Sequence, residues 1–568
     1  VVATTPPEPA ADAAPATPAT PPWATAQIAG AAVLIAVLTV ASRLAGFARI
    51  VVFSGAVGQT HLGDAYQAAN TIPNIVFEIV AGGALAALVV PVIAGPLARG
   101  DRVAVGATAS ALLSWVLALL IPLAVIVALA AHPIMWLLLG RSTPDVLDSG
   151  ARMLRVFAPQ IPLYGVGIVL TGVLQAHRRF AWPVLAPLLS SLAVIGTYLT
   201  FAAVEPRGVD LPHVSRGAEL ILSVGTTLGV VVLSLCLLPP VRRLRLPWRP
   251  TLRFAADAAR AVRGLAGVGA VTVGAQQLSL GLTIALVGWG TAAGSLVLFT
   301  QAQTLYLLPW AVLAVPVATS VYPVLSTSHV TGDQARYRRT LAGATRSVLL
   351  LSGLGAAGLA ALAWPAAWLL SHVTRGSPDV ARLSAAIIGF APGLLGYGLF
   401  ALHSRALYAR GENRRAALAA LAGWGAVAVA SIVLALALPP PARVPAMTAA
   451  NSVGMLVLGA VLVIIVGRRA GAGALAGVGR ATVASVLAGV AGAVAGVVAR
   501  VPVGTPGWPQ VALAGILSGS VAAAVFVGVA MLIDRRDAGP MLARLRSRLR
   551  ARRPGTPGGA GRAEGRDG

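Results

Sequence analysis

The stretch AHPIMWLLLGRSTPDVLDSGARMLRVFAPQIPLYG (131–165) returns, altered but in the same order, as AWPAAWLLSHVTRGSPDVARLSAAIIGFAPGLLGYG (363–398). Pro133, Trp136, Leu137 and Leu138 recur as Pro365, Trp368, Leu369 and Leu370. Pro144-Asp145-Val146 recurs as Pro378-Asp379-Val380, Phe157-Ala158-Pro159 as Phe390-Ala391-Pro392, and Tyr164-Gly165 as Tyr397-Gly398. The match extends outward: Pro91-Val92 and Gly100-Asp101 reappear as Pro323-Val324 and Gly332-Asp333, and Leu174 with Ala176 as Leu407 with Ala409. Rare residues keep their order at an offset of about 232 residues, which chance in an Ala- and Leu-rich chain does not produce. The chain is an internal duplication.

The 568 residues are 57% hydrophobic and only 11% charged, with a mean hydropathy of +0.83. Soluble domains carry about 25% charge, so this is an integral membrane protein. A membrane helix needs about 20 mostly apolar residues. Fourteen such stretches are expected, at 28–53, 65–97, 103–131, 153–176, 181–204, 217–240, 264–288, 294–325, 341–370, 383–408, 416–438, 444–467, 477–499 and 508–533. The first 26 residues, rich in Pro, Ala and Thr, read as a disordered tail. They lack the basic start and short apolar core of a cleavable signal peptide. Residues 241–263 form a basic linker and 534–568 a basic tail.

All 43 basic residues are arginine. With the N-terminus placed inside, the loops and tail on that side hold 31 of them and the outer loops 8, as the positive-inside rule requires. Both termini are therefore expected in the cytoplasm of a multi-pass plasma-membrane protein. The duplication offset covers six spans, an even number, so the two copies share one orientation. The expected fold is all-α: two parallel six-helix lobes (27–240 and 264–467) followed by two further helices (477–533). Parallel repeats of this kind place a substrate path between two bundles that rock against each other. Neither a channel nor a scaffold needs the duplication.

Polar residues inside such spans are costly and tend to face a cavity or a partner. The first span carries Ser42-Arg43 near its middle and Arg49 two turns on. Arg43 reads as a ligand-binding or ion-paired group, and Arg49 as one that binds, pairs or snorkels. In the second span Asn70, Asn74 and Glu78 fall at i, i+4 and i+8, so they share one face. Pro73 removes a backbone donor within that face and is expected to kink the helix. The simplest role of Glu78 is to neutralise Arg43 or Arg49, with substrate or proton handling as the alternative. Asp64, at the outer start of the span, reads as a helix cap or as a ligand. The second lobe has no carboxylate within its spans, and its weak polar features are Gln276, Gln277, Gln301, Gln303 and Arg405, most of which helix packing explains.

Enzymatic chemistry is not expected. There is no HExxH motif, no phosphate loop ending in lysine and one cysteine, Cys236, so no metal site or cofactor is assigned. The arginines are not gathered on a soluble domain, which argues against nucleic acid as a partner. The tail stretch MLARLRSRLRARR (541–553) is suited instead to anionic lipids of the inner leaflet.

The segments SRLAGFAR (42–49), Asp64-Ala65-Tyr66, IPN (72–74), GGALAALVVPV (82–92), GVLQAHRRFAWPVLAP (172–187) and SRALYARGENRR (404–415) together resemble the MurJ/MviN family of lipid II flippases. The resemblance runs in order across the first twelve spans, and fourteen spans is the family's number. It implies membership of the multidrug/oligosaccharidyl-lipid/polysaccharide exporter superfamily and transport by alternating access. It implies lipid II, an undecaprenyl-pyrophosphate-linked disaccharide-pentapeptide, as substrate, and the cell-wall synthesis machinery as a further partner. By the same resemblance Arg43 and Arg49 face a central cavity and engage the diphosphate, Asp64 and Asn74 are functional polar positions, and the last two helices form a groove for the isoprenoid tail. The chain departs from many relatives at Phe77-Glu78, where they carry an arginine pair, at Gly82, and at Gln303, Thr304 and Leu307, where they carry charges. Fewer arginines and one extra carboxylate leave two other readings beside lipid II flipping: export of another polyprenyl-linked glycan or amphipathic small molecule, and a non-transporting scaffold.

Overall fold

The computed structural model describes residues 22–80, 86–140, 142–205, 209–253, 256–289, 291–499 and 507–536. These residues are almost wholly helical, the arrangement that satisfies backbone hydrogen bonds inside a segment where no water is available. The first half contains α1 (Pro22–Ala56), α2 (His61–Glu78), α3 (Ala86–Ala98), α4 (Arg102–Leu129) and α5 (Ala131–Leu139). It continues with α6 (Pro144–Phe157), α7 (Gln160–Ala176), α8 (Ala181–Val204), α9 (Arg216–Leu235) and the short α10 (Leu238–Arg242). The second half contains α11 (Ala256–Gly288), α12 (Ser295–Pro309), α13 (Val315–Val330), α14 (Gln334–Ala361) and α15 (Ala363–Val373). Then come α16 (Val380–Phe390), α17 (Gly393–Ala409), α18 (Asn413–Ala437) and α19 (Arg443–Ala470). Two last helices, α20 (Val478–Val498) and α21 (Trp508–Ile533), pack on each other and on α14.

The duplication is visible in the helix boundaries. Helix α4 begins at Arg102 and α14 at Gln334, 232 residues later; α1 ends at Ala56 and α11 at Gly288, again 232 later. The repeated Gly-Asp pair has a local cause. Gly100 (φ 71°) and Gly332 (φ 76°) take the left-handed conformation that ends a helix at little cost. The next residue then caps the following helix: Asp101 accepts from the Ala104 N–H and Asp333 from the Arg336 N–H, both at 2.8 Å.

Twelve described helices are long and apolar enough to cross a membrane, or thirteen when the α16–α17 pair, bent by 41°, counts as one span. The expected fourteen is not reached among the described residues. The stretch 65–97 is divided between α2 and α3, with 81–85 outside the described residues, and α2 is too polar to count as an apolar span. Other boundaries also move. Helix α1 starts at Pro22, inside the expected tail, and α11 starts at Ala256, inside the expected linker. Stretch 341–370 is two helices meeting at Leu362, and 294–325 bends through a π-helical turn at Trp310–Ala314 just after Pro309. Helix α2 runs through Pro73 unbroken. The arginine-rich stretch 541–553 lies outside the described residues.

Close helix packing in the second half depends on small residues. A Cβ added at Gly396 of α17 would lie 1.9 Å from the Met455 carbonyl oxygen of α19, whereas one at Gly425 of α18 meets nothing within 4 Å. At the start of α18, Glu412 joins Arg410 (3.3 Å), Arg415 (2.7 Å) and Arg469 (3.2 Å) and so ties the α17–α18 turn to the end of α19. Burial works to raise the Glu412 carboxyl, but hydrogen bonds from Arg415, Arg410 and Arg469 outweigh it and hold the group below the usual carboxylate range.

Two outcomes follow. In detergent, Gly396→Ala should lower thermal stability by about 1–3 kcal/mol through overpacking, while Gly425→Ala changes it little; equal effects would refute the close approach. A depressed carboxyl contributes stability that is present above its unfolded value of 4.5 and is lost as pH falls through the lower folded value. Glu412→Gln should therefore remove part of the chain's acid sensitivity below pH 4.5, read as melting temperature against pH.

Candidate functional site

A cavity of about 620 Å³ lies between the two halves. Its first-half wall is the polar face of α2, where Gln67, Asn70, Asn74 and Glu78 all line the cavity, with Arg49 from α1 facing them. Asn74 donates to the Asn70 carbonyl (2.8 Å) and accepts from the Tyr164 hydroxyl (3.1 Å), so its side chain is fixed on that wall. The Tyr66 hydroxyl pairs with those of Tyr198 (2.8 Å) and Thr226 (2.9 Å), forming a rigid polar floor. Arg49, Tyr66, Tyr164 and Tyr198 line the cavity together. The second-half wall supplies Gln276 and Gln277 from α11, Thr300, Gln303 and Thr304 from α12, and the rings of Trp310 and Tyr397. Among the described residues that wall carries no charge.

Four of the seven expected site residues therefore line one cavity: Arg49, Asn70, Asn74 and Glu78. Ser42 and Arg43 are outside its lining in this conformation, Ser42 half-buried and Arg43 exposed, on the part of α1 below Arg49. The expected neutralisation does not occur. Among the described residues Glu78 is within 4.0 Å of neither Arg43 nor Arg49, and both Arg49 and Glu78 face the cavity without an opposite charge beside them.

Asp64 has another task. Helix α12 begins after Gly294, which has no side chain with which to cap it. The Asp64 carboxylate, from the other half, accepts from the backbone N–H groups of Gly294 (2.8 Å), Leu296 (2.9 Å) and Val297 (3.4 Å). An anion at a helix N-terminus is stabilised by unsatisfied donors and by the helix dipole together. Around this cap the two halves are fastened. Gln59 donates to Gln301 (2.9 Å), which donates to Ser54 (2.8 Å). The Gln59 N–H donates to the Arg375 carbonyl (2.8 Å), and the Arg375 guanidinium to the carbonyls of Ala56 (2.6 Å) and Glu205 (3.1 Å). The cavity is thus closed at the end that carries the α1–α2 turn.

Sequence reasoning missed this fastening and the tyrosine floor. A signal for the first was present. The duplication offset is 232 at Leu138/Leu370 but 234 at Pro144/Pro378, so the second copy holds two extra residues within 371–377, the stretch that carries Arg375. The tyrosines gave none, because an aromatic residue in a span reads as packing until its hydroxyl partner is located.

A family profile described as lipid II flippase MurJ matches residues 53–511. The probable lipid II flippase MurJ of Haemophilus influenzae is 26% identical over 400 residues, covering 66% of this chain and 75% of that protein. The lipid II flippase MurJ of Burkholderia cenocepacia is 26% identical over 385 residues, covering 66% and 71%. Among solved structures, an inward closed conformation of lipid II flippase MurJ superposes with a TM-score of 0.69 at 18% identity, covering 87% of this chain and 98% of that one. An inward-facing multidrug-resistance MATE transporter of the MOP superfamily superposes at 0.64 with 14% identity, covering 77% and 98%.

Asp64→Ala should cost about 1 kcal/mol in thermal stability, the usual worth of a helix cap, and speed hydrogen exchange at the Leu296 and Val297 amides. Unchanged exchange at those two amides would remove Asp64 from the fastening. The matched profile, the relatives and the two-lobed all-helical fold together place the chain in the lipid II flippase MurJ family of membrane transporters.

Proposed function

We propose that this chain moves lipid II from the inner to the outer leaflet of the plasma membrane by alternating access, with Arg49 as the diphosphate-binding residue. The observation that carries the reading is the unpaired Arg49 beside the floor of a polar cavity between two halves fastened at one end. A guanidinium presents a planar fork suited to bidentate binding of phosphate oxygens, and a half-buried arginine without a counter-ion favours an arriving anion. With the termini inside, as the arginine distribution supports, the fastened end faces outward and this conformation takes its load from the cytoplasm. Arg43 and Ser42 lie about 9 Å nearer the cytoplasmic end of α1, where an entering head group passes before it reaches Arg49. An apolar cavity of about 300 Å³ between α14, α16 and α20, lined by Ala357, Ile388, Leu395, Val486 and Val490, suits the isoprenoid tail. The arginine-rich inner face suits anionic lipids, and the cell-wall synthesis machinery is the natural recipient at the outer leaflet. The membrane potential acts on the charged site with about 2.3 kcal/mol per charge per 100 mV and biases its return.

The uncharged second-half wall favours one other reading, export of a different polyprenyl-linked glycan, because Gln276, Gln277, Gln303 and Thr304 offer hydrogen bonds and no positive charge. A host depleted of its own flippase separates the two. At matched expression, the wild type should restore externally accessible lipid II, Arg49→Ala should lower it at least about tenfold, as expected for a lost charge-assisted contact, and Arg43→Ala should lower it less. A well-inserted wild type that restores nothing would reject lipid II as the cargo.

A further inference from the structure

We infer that Glu78 forms a subsite for an ammonium-bearing group of the transported molecule, opposite in sign to the Arg49 site and at the far end of the same cavity. The inference rests on the transport reading above and names a second chemical requirement on the cargo.

Counted from the α1–α2 turn, Arg49 stands about 12 Å down α1 and Glu78 about 27 Å down α2, so about 15 Å separates them along the bundle axis. Both line the cavity, and that separation keeps them from neutralising each other. Between them the walls hold Asn70, Asn74, Gln303 and Thr304, neutral groups that can hydrogen-bond hydroxyls and amides. The cavity is therefore bipolar: positive at the fastened end, neutral in the middle, negative toward the other end. A carboxylate in a membrane helix is costly without a counter-charge, and the second-half wall provides none.

The surroundings of Glu78 select the kind of cation. Tyr164, Trp310 and Tyr397 line the cavity together with Glu78. The Tyr397 ring stacks on Trp310 at 4.5 Å, and Tyr164 packs on Phe77 at 4.6 Å. Aromatic faces beside one carboxylate suit an organic ammonium, which combines an ion pair with cation–π attraction. A bare metal ion prefers several oxygen ligands, and no group of three His, Cys, Asp or Glu able to hold one occurs among the described residues. One face of the cargo is thus anionic and another, a disaccharide's length or more away, carries an amine.

The test uses the full chain in nanodiscs of zwitterionic lipid and two synthetic probes. Both are polyprenyl-pyrophosphate disaccharide-pentapeptides; one has a free side-chain amine in its peptide, and in the other that amine is acetylated. The wild type should bind the free-amine probe roughly tenfold more tightly, the scale of one charge-assisted contact. Glu78→Gln should erase the preference, Glu78→Asp should keep it, and Arg49→Ala should weaken both probes alike. If the wild type binds both equally and Arg49→Ala weakens them, the subsite is wrong and the transport reading stands. If neither probe binds, the transport reading fails and takes the subsite with it. A preference that survives in folded Glu78→Gln, or a Glu78→Gln effect confined to sodium dependence, also overturns the subsite. The wild-type comparison needs no variant, so a misfolded substitution cannot hide the answer.

Discussion

Helix α12 starts in the protein interior with donors that its own sequence cannot satisfy. Gly294 has no side chain, and the membrane supplies no water. The carboxylate of Asp64 supplies what is missing from the other half of the chain. This one dependence sets the relation between halves that otherwise pack mainly within themselves. While the cap is made, the α1–α2 turn is held against the start of α12, Gln59 and Gln301 come within reach of each other, and the cavity has a closed end. Were it broken, at least two backbone donors would face a low-dielectric interior, a cost that only a rearrangement of both halves could recover.

The cavity below that closure is built by the opposite logic. The tyrosine floor and the Asn70–Asn74 part of the α2 stripe are hydrogen-bonded among themselves, which fixes their geometry, whereas Arg49 and Glu78 face the space with no opposite charge beside them among the described residues. Internal satisfaction makes a wall; an unsatisfied charge makes a site. The apolar cavity beside α14 shares no lining residue with the polar one, so the chain offers two chemically distinct environments.

Much of the fold was legible because membrane helices announce themselves by length and apolarity, and because the Gly-Asp turns and Trp-Leu-Leu runs kept the duplication readable. The α2 stripe was legible from its spacing of four. Span 65–97 does not stand among the apolar spans of the described residues, since the polar stripe of α2 removes that helix from the apolar class. The partner of Glu78 was misjudged for a related reason: sequence gives the sign of a charge and its place on a helix, not the distance to a charge on the neighbouring helix. Asp64 was open between cap and ligand, and only the bare start of α12, far away in the chain, decides how its carboxylate is used.

The two extra residues within 371–377 exist in one copy of the duplication only. Two identical halves would clasp each other reciprocally, and either could let go first. Here the clasp is reciprocal but unequal among the described residues: an arm at Arg375 of the second half reaches across to Ser54, Ala56 and Glu205, and the answering contact is the Trp289 indole of α11 donating to the Leu137 carbonyl of the first half. The closure is therefore a clasp of two unequal arms. Neither Arg375 nor Trp289 lines the cavity, so the speed of release can be tuned by evolution at the arms without altering any residue of the cavity wall.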